Sequence, residues 1–252
     1  MKKLYVVGLG PGGMDDLTIR AREALGASEV IIGYRTYLGL VKSLFPDKTY
    51  ASTSMGQEME RVRMALESAA AGKTTSLICS GDAGIYGMAG PALFESRNFP
   101  DVTITVIPGV TAAGGAAALL GAPLMNDFCV ISLSDDLTPW QMIENRLKAA
   151  AAGDFVIALY NPKSAHRPEN LRKAVDLLLA SGVDKDTPCG LAGRVGREGE
   201  WKRLTTLRQL PDEEGVDMFT TVVIGNSETK VSGGYLITKR GYSDENKGAE
   251  QA

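Results

Sequence analysis

Histidine is almost missing from this chain: His166 is the single one in 252 residues, and cysteine is limited to Cys79, Cys129 and Cys189. The three cysteines lie far apart, with no C-x-x-C pair, so neither a zinc cluster nor a histidine-rich metal centre has its ligands. Each sits in or beside an apolar, strand-like run, which reads it as a small buried hydrophobe. No apolar run reaches membrane-spanning length; all are strand-sized and broken by charge or glycine, so no membrane association is expected. A G-x-x-x-x-G-K-[ST] element is absent, which removes a P-loop. An excess of positive charge is lacking too. With 27 Lys+Arg against 30 Asp+Glu the net charge is −3, which argues against nucleic acid as the main partner but leaves room for a local basic pocket. Met1-Lys2-Lys3 leads straight into the first apolar run without a signal-peptide pattern, so the expected location is cytoplasmic.

What the chain does have is glycine, 29 residues, with 44% hydrophobic residues, ample for a sizeable core. Leu4-Tyr5-Val6-Val7 is a short apolar run ending in Gly8-Leu9-Gly10-Pro11-Gly12-Gly13, a strand turning tightly into a helix. Helical spacing over 17–25 and a strand over 29–33 follow. Residues 57–71 read as a helix with Met59, Val62, Leu66 and Ala69 near one face and Gly72 as its stop. A strand over 74–79 enters Ser80-Gly81-Asp82-Ala83-Gly84-Ile85-Tyr86-Gly87. A helix over 88–97 and a strand over 102–107 lead to Pro108-Gly109-Val110-Thr111-Ala112, which opens a small-residue helix over 113–120. Gly121-Ala122-Pro123 breaks that helix and marks a domain boundary.

Beyond it come a strand over 128–133, a helix over 139–152, a strand over 155–160, a helix over 168–180 and a strand over 188–195. Both helices carry proline near the first turn. Residues 201–207, 219–225 and 234–238 read as strands with little helix between. The expected fold is therefore α/β with two domains: residues 1–121 around a mostly parallel sheet, and 122–242 around a mixed sheet. The polar, aromatic-free residues 243–252 read as a disordered tail.

Three small-residue turns at strand ends mark a ligand site, since open α/β sheets keep ligands there and glycine lets a backbone come close. Gly8, Gly10 and Gly13 literally satisfy G-x-G-x-x-G, the dinucleotide pattern. Asp15 and Asp16, however, fall where the next helix should start and would compete with a pyrophosphate for the same helix end, unless one of them simply caps that helix. The second strand also ends in Tyr34-Arg35, not in an acidic residue for a ribose hydroxyl. Backbone edges and the lone carboxylate of Asp82 suit a sulfonium-bearing or zwitterionic cofactor better than a phosphate.

In this order the three turns look like those of the S-adenosylmethionine-dependent tetrapyrrole methylases. Four further stretches narrow the resemblance: Gly33-Tyr34-Arg35-Thr36-Tyr37, Gly121-Ala122-Pro123-Leu124-Met125-Asn126-Asp127-Phe128, Tyr160-Asn161-Pro162-Lys163-Ser164 and Thr238-Lys239-Arg240-Gly241-Tyr242. With them the chain resembles the precorrin-3B C17-methyltransferases and their cobalt-factor III counterparts over residues 2–242.

The resemblance implies the tetrapyrrole methylase fold, a cofactor cleft between the two domains, and a homodimer. Carried over by position, S-adenosyl-L-methionine, leaving as S-adenosyl-L-homocysteine, would touch Pro11, Ser80, Gly81, Asp82, Ile85, Thr111 and Ala112. From the second domain it would touch Leu133, Tyr160, Asn161, Ala192 and Gly193. The implied reaction is methylation at C17 of a precorrin-3B or cobalt-factor III macrocycle, linked to ring contraction by excision of C20 from the conjugated path, in cobalamin biosynthesis.

Methyl transfer from a sulfonium needs alignment and exclusion of water, and neither a metal nor an enzyme nucleophile. The substrate implied is a flat tetrapyrrole rimmed with carboxylates. Arg35, Lys163, Arg167 and Arg194 are its candidate ligands, with Arg197, Lys239 and Arg240 at other loop positions, since arginine binds carboxylates bidentately. Tyr34, Tyr86 and His166 are the candidates for handling protons; Tyr34 stands where the uroporphyrinogen branch of the superfamily carries an aspartate. Other readings are an RNA methylase of the same fold, a nicotinamide oxidoreductase on the literal glycine motif, and a non-catalytic tetrapyrrole carrier.

Overall fold

Successive side chains of a strand point to opposite faces, and the apolar runs of the first half use both. The computed structural model describes residues 2–54 and 56–241, so the tail expected over 243–252 lies outside the described residues, as does Tyr242. Five strands, β1 (Lys3–Gly8), β2 (Val30–Tyr34), β3 (Thr49–Thr53), β4 (Thr75–Cys79) and β5 (Thr103–Ile107), form a parallel sheet in the order β3-β2-β4-β1-β5. Leu4, Val6, Val30, Ile32, Leu77 and Cys79 face one side, packed with buried residues of α3 (Glu58–Ala70) and α4 (Ala89–Glu95). Val7, Ile31, Ile78 and Ile107 face the other, against α1 (Ile19–Ala27) and α2 (Arg35–Val41). A parallel sheet covered on both faces needs such doubly apolar strands.

The chain divides into two units. Unit 1 is the chain up to Gly115 together with Arg194–Glu200; unit 2 is Ala116–Gly193 with the chain from Trp201 on. The division falls inside α5 (Ala112–Leu120) and not at the Gly121-Ala122-Pro123 break, because Gly121–Ala122 is itself a strand of unit 2, β6, paired in parallel with Leu236 and Ile237 of β13 (Tyr235–Thr238).

Unit 2 is built on a mixed sheet of β7 (Phe128–Ser132), β8 (Val156–Tyr160), β9 (Pro188–Gly193), β10 (Trp201–Thr206) and β11 (Thr220–Ile224), in the order β10-β9-β11-β8-β7. Only β7 and β8 run parallel; the other three pairings are antiparallel. One face packs Ile131, Ile157, Leu159, Leu191 and Val222 against Ile143 and Leu147 of α6 (Trp140–Ala152) and Leu171, Val175 and Leu178 of α7 (Asn170–Ala180). Gly190, in the middle of β9, leaves room for Leu120 of α5: a methyl group there would lie 2.7 Å from its Cδ1. β12 (Thr229–Ser232) pairs with β13 to complete a small three-stranded sheet with β6.

Several expectations shift. Helix α1 is capped by neither Asp15 nor Asp16 but by Thr18, whose Oγ1 accepts the Ala21 amide at 3.1 Å. Asp16 instead packs on the first turn, where a methyl group on Gly10 would lie 2.8 Å from its carbonyl oxygen. Met59 is 40% exposed while Arg61 is buried on the inner face of α3. Pro139 and Pro168 precede α6 and α7 and are not part of their first turns.

Candidate functional site

Because β2, β4, β1 and β5 are adjacent and parallel, the segments that leave their carboxyl ends emerge side by side. The first two of the three turns are stitched by backbone: the Gly10 amide donates to Gly81 O at 3.1 Å, and the Gly81 amide donates to Gly10 O at 2.7 Å. All three then press together. A methyl group on Gly8 would lie 2.6 Å from Gly81 O and 2.9 Å from Gly109 N, and one on Gly109 only 2.3 Å from Gly81 O. Glycine at 8 and 109 thus serves turn-on-turn packing, where the sequence had suggested ligand approach. Gly81 differs: its φ is +67°, and a methyl group there would meet nothing nearer than Ala112 N at 3.8 Å. Gly81, though buried, therefore has room for a methyl group where Gly8 and Gly109 have none.

Asp82 locks this arrangement. Its Oδ1 accepts the Gly84 amide at 2.7 Å and its Oδ2 accepts the Gly109 amide at 2.9 Å, so one carboxylate ties the second turn to the third. Ile85 and Tyr86 follow, 40% and 57% exposed, and Tyr86 holds φ +52°. A left-handed backbone is unfavourable for a bulky side chain, and such conformations gather at functional sites.

The segment Arg194–Glu200, which joins β9 to β10, belongs to unit 1 and straps the first turn. Arg197 lays its stem on Gly12, where a methyl group would lie 2.2 Å from Cγ. Its Nε donates to Pro11 O and its Nη2 to Ser80 Oγ, both at 2.9 Å. The guanidinium stands 5.8 Å from the Tyr37 ring centre, and Tyr37 meets Tyr34 edge to face at 5.4 Å. The buried Arg61 lies 6.0 Å from the Tyr34 ring centre, held by Thr53 Oγ1 and Ser54 O. Burial raises the pKa of the Tyr37 phenol, with Arg197 opposing, and burial lowers that of Arg197. The sequence marked Arg197 only as a loop cation and missed Arg61; the contacts of Arg197 lie 186 and 117 residues away, beyond any local signal.

Of the remaining residues singled out in unit 1, Pro11 is buried and packs toward Gly115, and Thr111 and Ala112 lie at the start of α5, half-buried. Arg35 is no loop residue but the first residue of α2, exposed beside Tyr34. Arg194 opens the strap, exposed and at φ +53°. Unit 1 therefore brings together Pro11, Ser80, Gly81 and Asp82.

Within unit 2, Leu133 is fully buried; its amide donates to Tyr160 O and its carbonyl accepts Asn170 Nδ2, both at 2.9 Å. Tyr160 ends β8, and Asn161 follows at φ +51° with Nδ2 donating to Ser132 Oγ at 3.0 Å. Ala192 and Gly193 sit in β9 between two paired strands, opposite Lys202 and Trp201 on one side and Thr221 and Thr220 on the other. Lys163 is half-buried and His166 exposed on the same loop. Arg167 was expected to await a substrate carboxylate but already has one, pairing with Asp136 and donating to Ser134 Oγ. All three thiols are free, and burial pushes those of Cys79 and Cys129 up to about 11. No three metal-ligating side chains converge among the described residues, and no helix there is long and apolar enough to cross a membrane.

Comparison with known proteins agrees with this layout. A protein of Salmonella typhimurium named "Probable cobalt-factor III C(17)-methyltransferase" is 51% identical over 241 residues, covering 95% of this chain and 99% of its own. The "Precorrin-3B C(17)-methyltransferase" of a Sinorhizobium species is 40% identical over 237 residues, 90% of either chain. The crystal structure of the methyltransferase CobJ superposes with a TM-score of 0.87 at 34% identity, covering 94% of this chain and 99% of that one. Residues 3–211 match the family described as Tetrapyrrole (Corrin/Porphyrin) Methylases. By that match and by its relatives over nearly their full length, this chain belongs to the tetrapyrrole methylases.

Proposed function

We propose that the protein methylates C17 of a precorrin-3B or cobalt-factor III macrocycle, linked to contraction of the ring, with S-adenosyl-L-methionine as methyl donor. The observation that carries this reading is the cluster of three small-residue turns at adjacent strand ends, tied by the Gly10–Gly81 backbone pair and by Asp82, in a chain that aligns over almost its whole length with C17-methyltransferases. The donor, when bound, supplies an electrophilic methyl group on a sulfonium. Pro11, Ser80, Gly81, Asp82, Ile85, Thr111 and Ala112 are the unit 1 residues proposed to hold it, and Leu133, Tyr160, Asn161, Ala192 and Gly193 those of unit 2. The side chains of Leu133 and Ala192 are fully buried, so neither would offer its side chain to the donor.

Asp82 keeps the turns in register by taking two amides. Preorganised turns matter because methyl transfer gains its rate chiefly from alignment in a site that excludes water. Arg35, Lys163 and Arg194 are the cations proposed for the carboxylate rim, with Arg167 exchanging Asp136 for a substrate carboxylate. Tyr34, Tyr86 and His166 stay the candidates for moving a proton; the exposure of Tyr86 and its backbone favour it. The protein is proposed to act as a homodimer in the cytoplasm, where its free thiols would stay reduced.

Isothermal titration tests the donor and mass spectrometry of the product tests the acceptor. Binding of S-adenosylhomocysteine and a mass gain of one methyl group on metal-free or cobalt-loaded substrate are expected. Folded protein that binds neither S-adenosylmethionine nor S-adenosylhomocysteine would overturn the reading. Sedimentation should give twice the chain mass.

A further inference from the structure

Beside the Gly10–Gly81 backbone pair, a side chain adds a second link between the first and second turns. Arg197 reaches Pro11 O with Nε and Ser80 Oγ with Nη2, one hydrogen bond to each turn from one rigid plane. The strap that delivers it is closed on itself: the Arg197 amide donates to Arg194 O at 2.8 Å, and the Gly196 amide donates to the Glu200 carboxylate at 2.7 Å. It also fits the first turn closely. A methyl group on Gly196 would lie 2.7 Å from Gly13 N, and one on Gly13 2.9 Å from Gly196 O. Gly12 is bare for the same reason, since the stem of Arg197 occupies the place of a side chain.

We propose that Arg197 is a positioning residue of the donor site: its guanidinium sets the spacing between the first and second turns, and the strap Arg194–Glu200 holds it there. The inference rests on the proposed function for the identity of the ligand, but the geometry it assigns to Arg197 belongs to unit 1 alone. A planar fork with donors on different edges can span two acceptors; a lysine ammonium is a point charge and would satisfy one. The guanidinium also lies over the Tyr37 ring, 5.8 Å from its centre. Charge alone therefore does not reproduce the role.

The test uses full-length Arg197→Lys and Arg197→Met. Hydrogen–deuterium exchange is followed in peptides covering residues 8–17 and 80–88 and, as reference, 156–160 and 220–224, alongside titration with S-adenosylhomocysteine. In both variants the two turn peptides should exchange about tenfold faster and the ligand bind about tenfold more weakly, the size expected for losing a hydrogen bond to a charged group. The reference peptides should be unchanged. Unaltered exchange at the turns, or wild-type affinity in Arg197→Lys, would overturn the proposal. So would equal acceleration in the reference peptides, which would make the role one of overall stability. Should the wild type bind no S-adenosylhomocysteine, the proposed function falls, while exchange at the turns still decides what Arg197 holds.

Discussion

Asp82 and Gly109 are 27 residues apart in the chain, yet the carboxylate takes the glycine amide at 2.9 Å. Asp82→Ala leaves that amide and the one of Gly84 without their acceptor, and about 1–3 kcal/mol of stability should go with them. Urea unfolding will read the loss, and calorimetry should find S-adenosylhomocysteine bound at least about tenfold more weakly. A destabilised variant with intact affinity would remove Asp82 from the donor site. The glycines separate in the same way. Gly109→Ala drives a methyl group to 2.3 Å from a backbone oxygen and should prevent folding, whereas Gly81→Ala has space and should fold, losing about 1–2 kcal/mol to its positive φ. Soluble expression and thermal melting of the pair distinguish the two roles. The sequence marked all of these glycines as turn residues but could not say which is pressed by a neighbour and which has room for a methyl group, because that depends on strands that meet only in the fold.

Elements that announce themselves by pattern were legible. Helix α3 carries Val62, Leu66 and Ala69 on its buried face and ends before Gly72, at φ +91°. Strands β1 and β8 are mostly apolar, β4 and β11 end in three apolar residues, and all four are buried along most of their length. Three elements left no comparable mark. Helix α2 buries only Leu38 and Val41 over seven residues. Edge strand β3, with sequence TYAST, has no fully buried residue, and β12 buries Thr229 alone. Each relies on a neighbour for stability, and a short stretch cannot advertise a neighbour. Helix α5 is the opposite case: its small residues were plain, but its tight seat on β9 was not. Leu120→Ala should cost about 2–5 kcal/mol, because the leucine is fully buried over Gly190 and a cavity would remain. A shift of the urea midpoint with an unchanged slope would measure it.

At the scale of the whole molecule the three cysteines share one behaviour, since burial raises the pKa of each thiol. An acid whose pKa is raised by folding is protonated in the native state while the unfolded chain has already ionised. Its stabilising contribution is complete below the unfolded value and is lost as pH climbs through the folded one. For Cys79 that interval runs from 9.0 to about 11, a loss of about 2–3 kcal/mol. Stability should therefore fall steadily above pH 9, and Cys79→Ala should flatten part of the decline in urea midpoints recorded between pH 8 and pH 11.

The strap bears on modularity. Seven residues encoded between two strands of one half are built into the other half, so no single cut in the gene yields both pieces whole. A fragment ending at residue 115 would carry Gly12 and Gly13 bare, without the arginine that lies across them. Recombining halves from relatives would succeed only when the β9–β10 linker travels with the glycine turn it covers, which ties two distant stretches of the chain into one unit of inheritance.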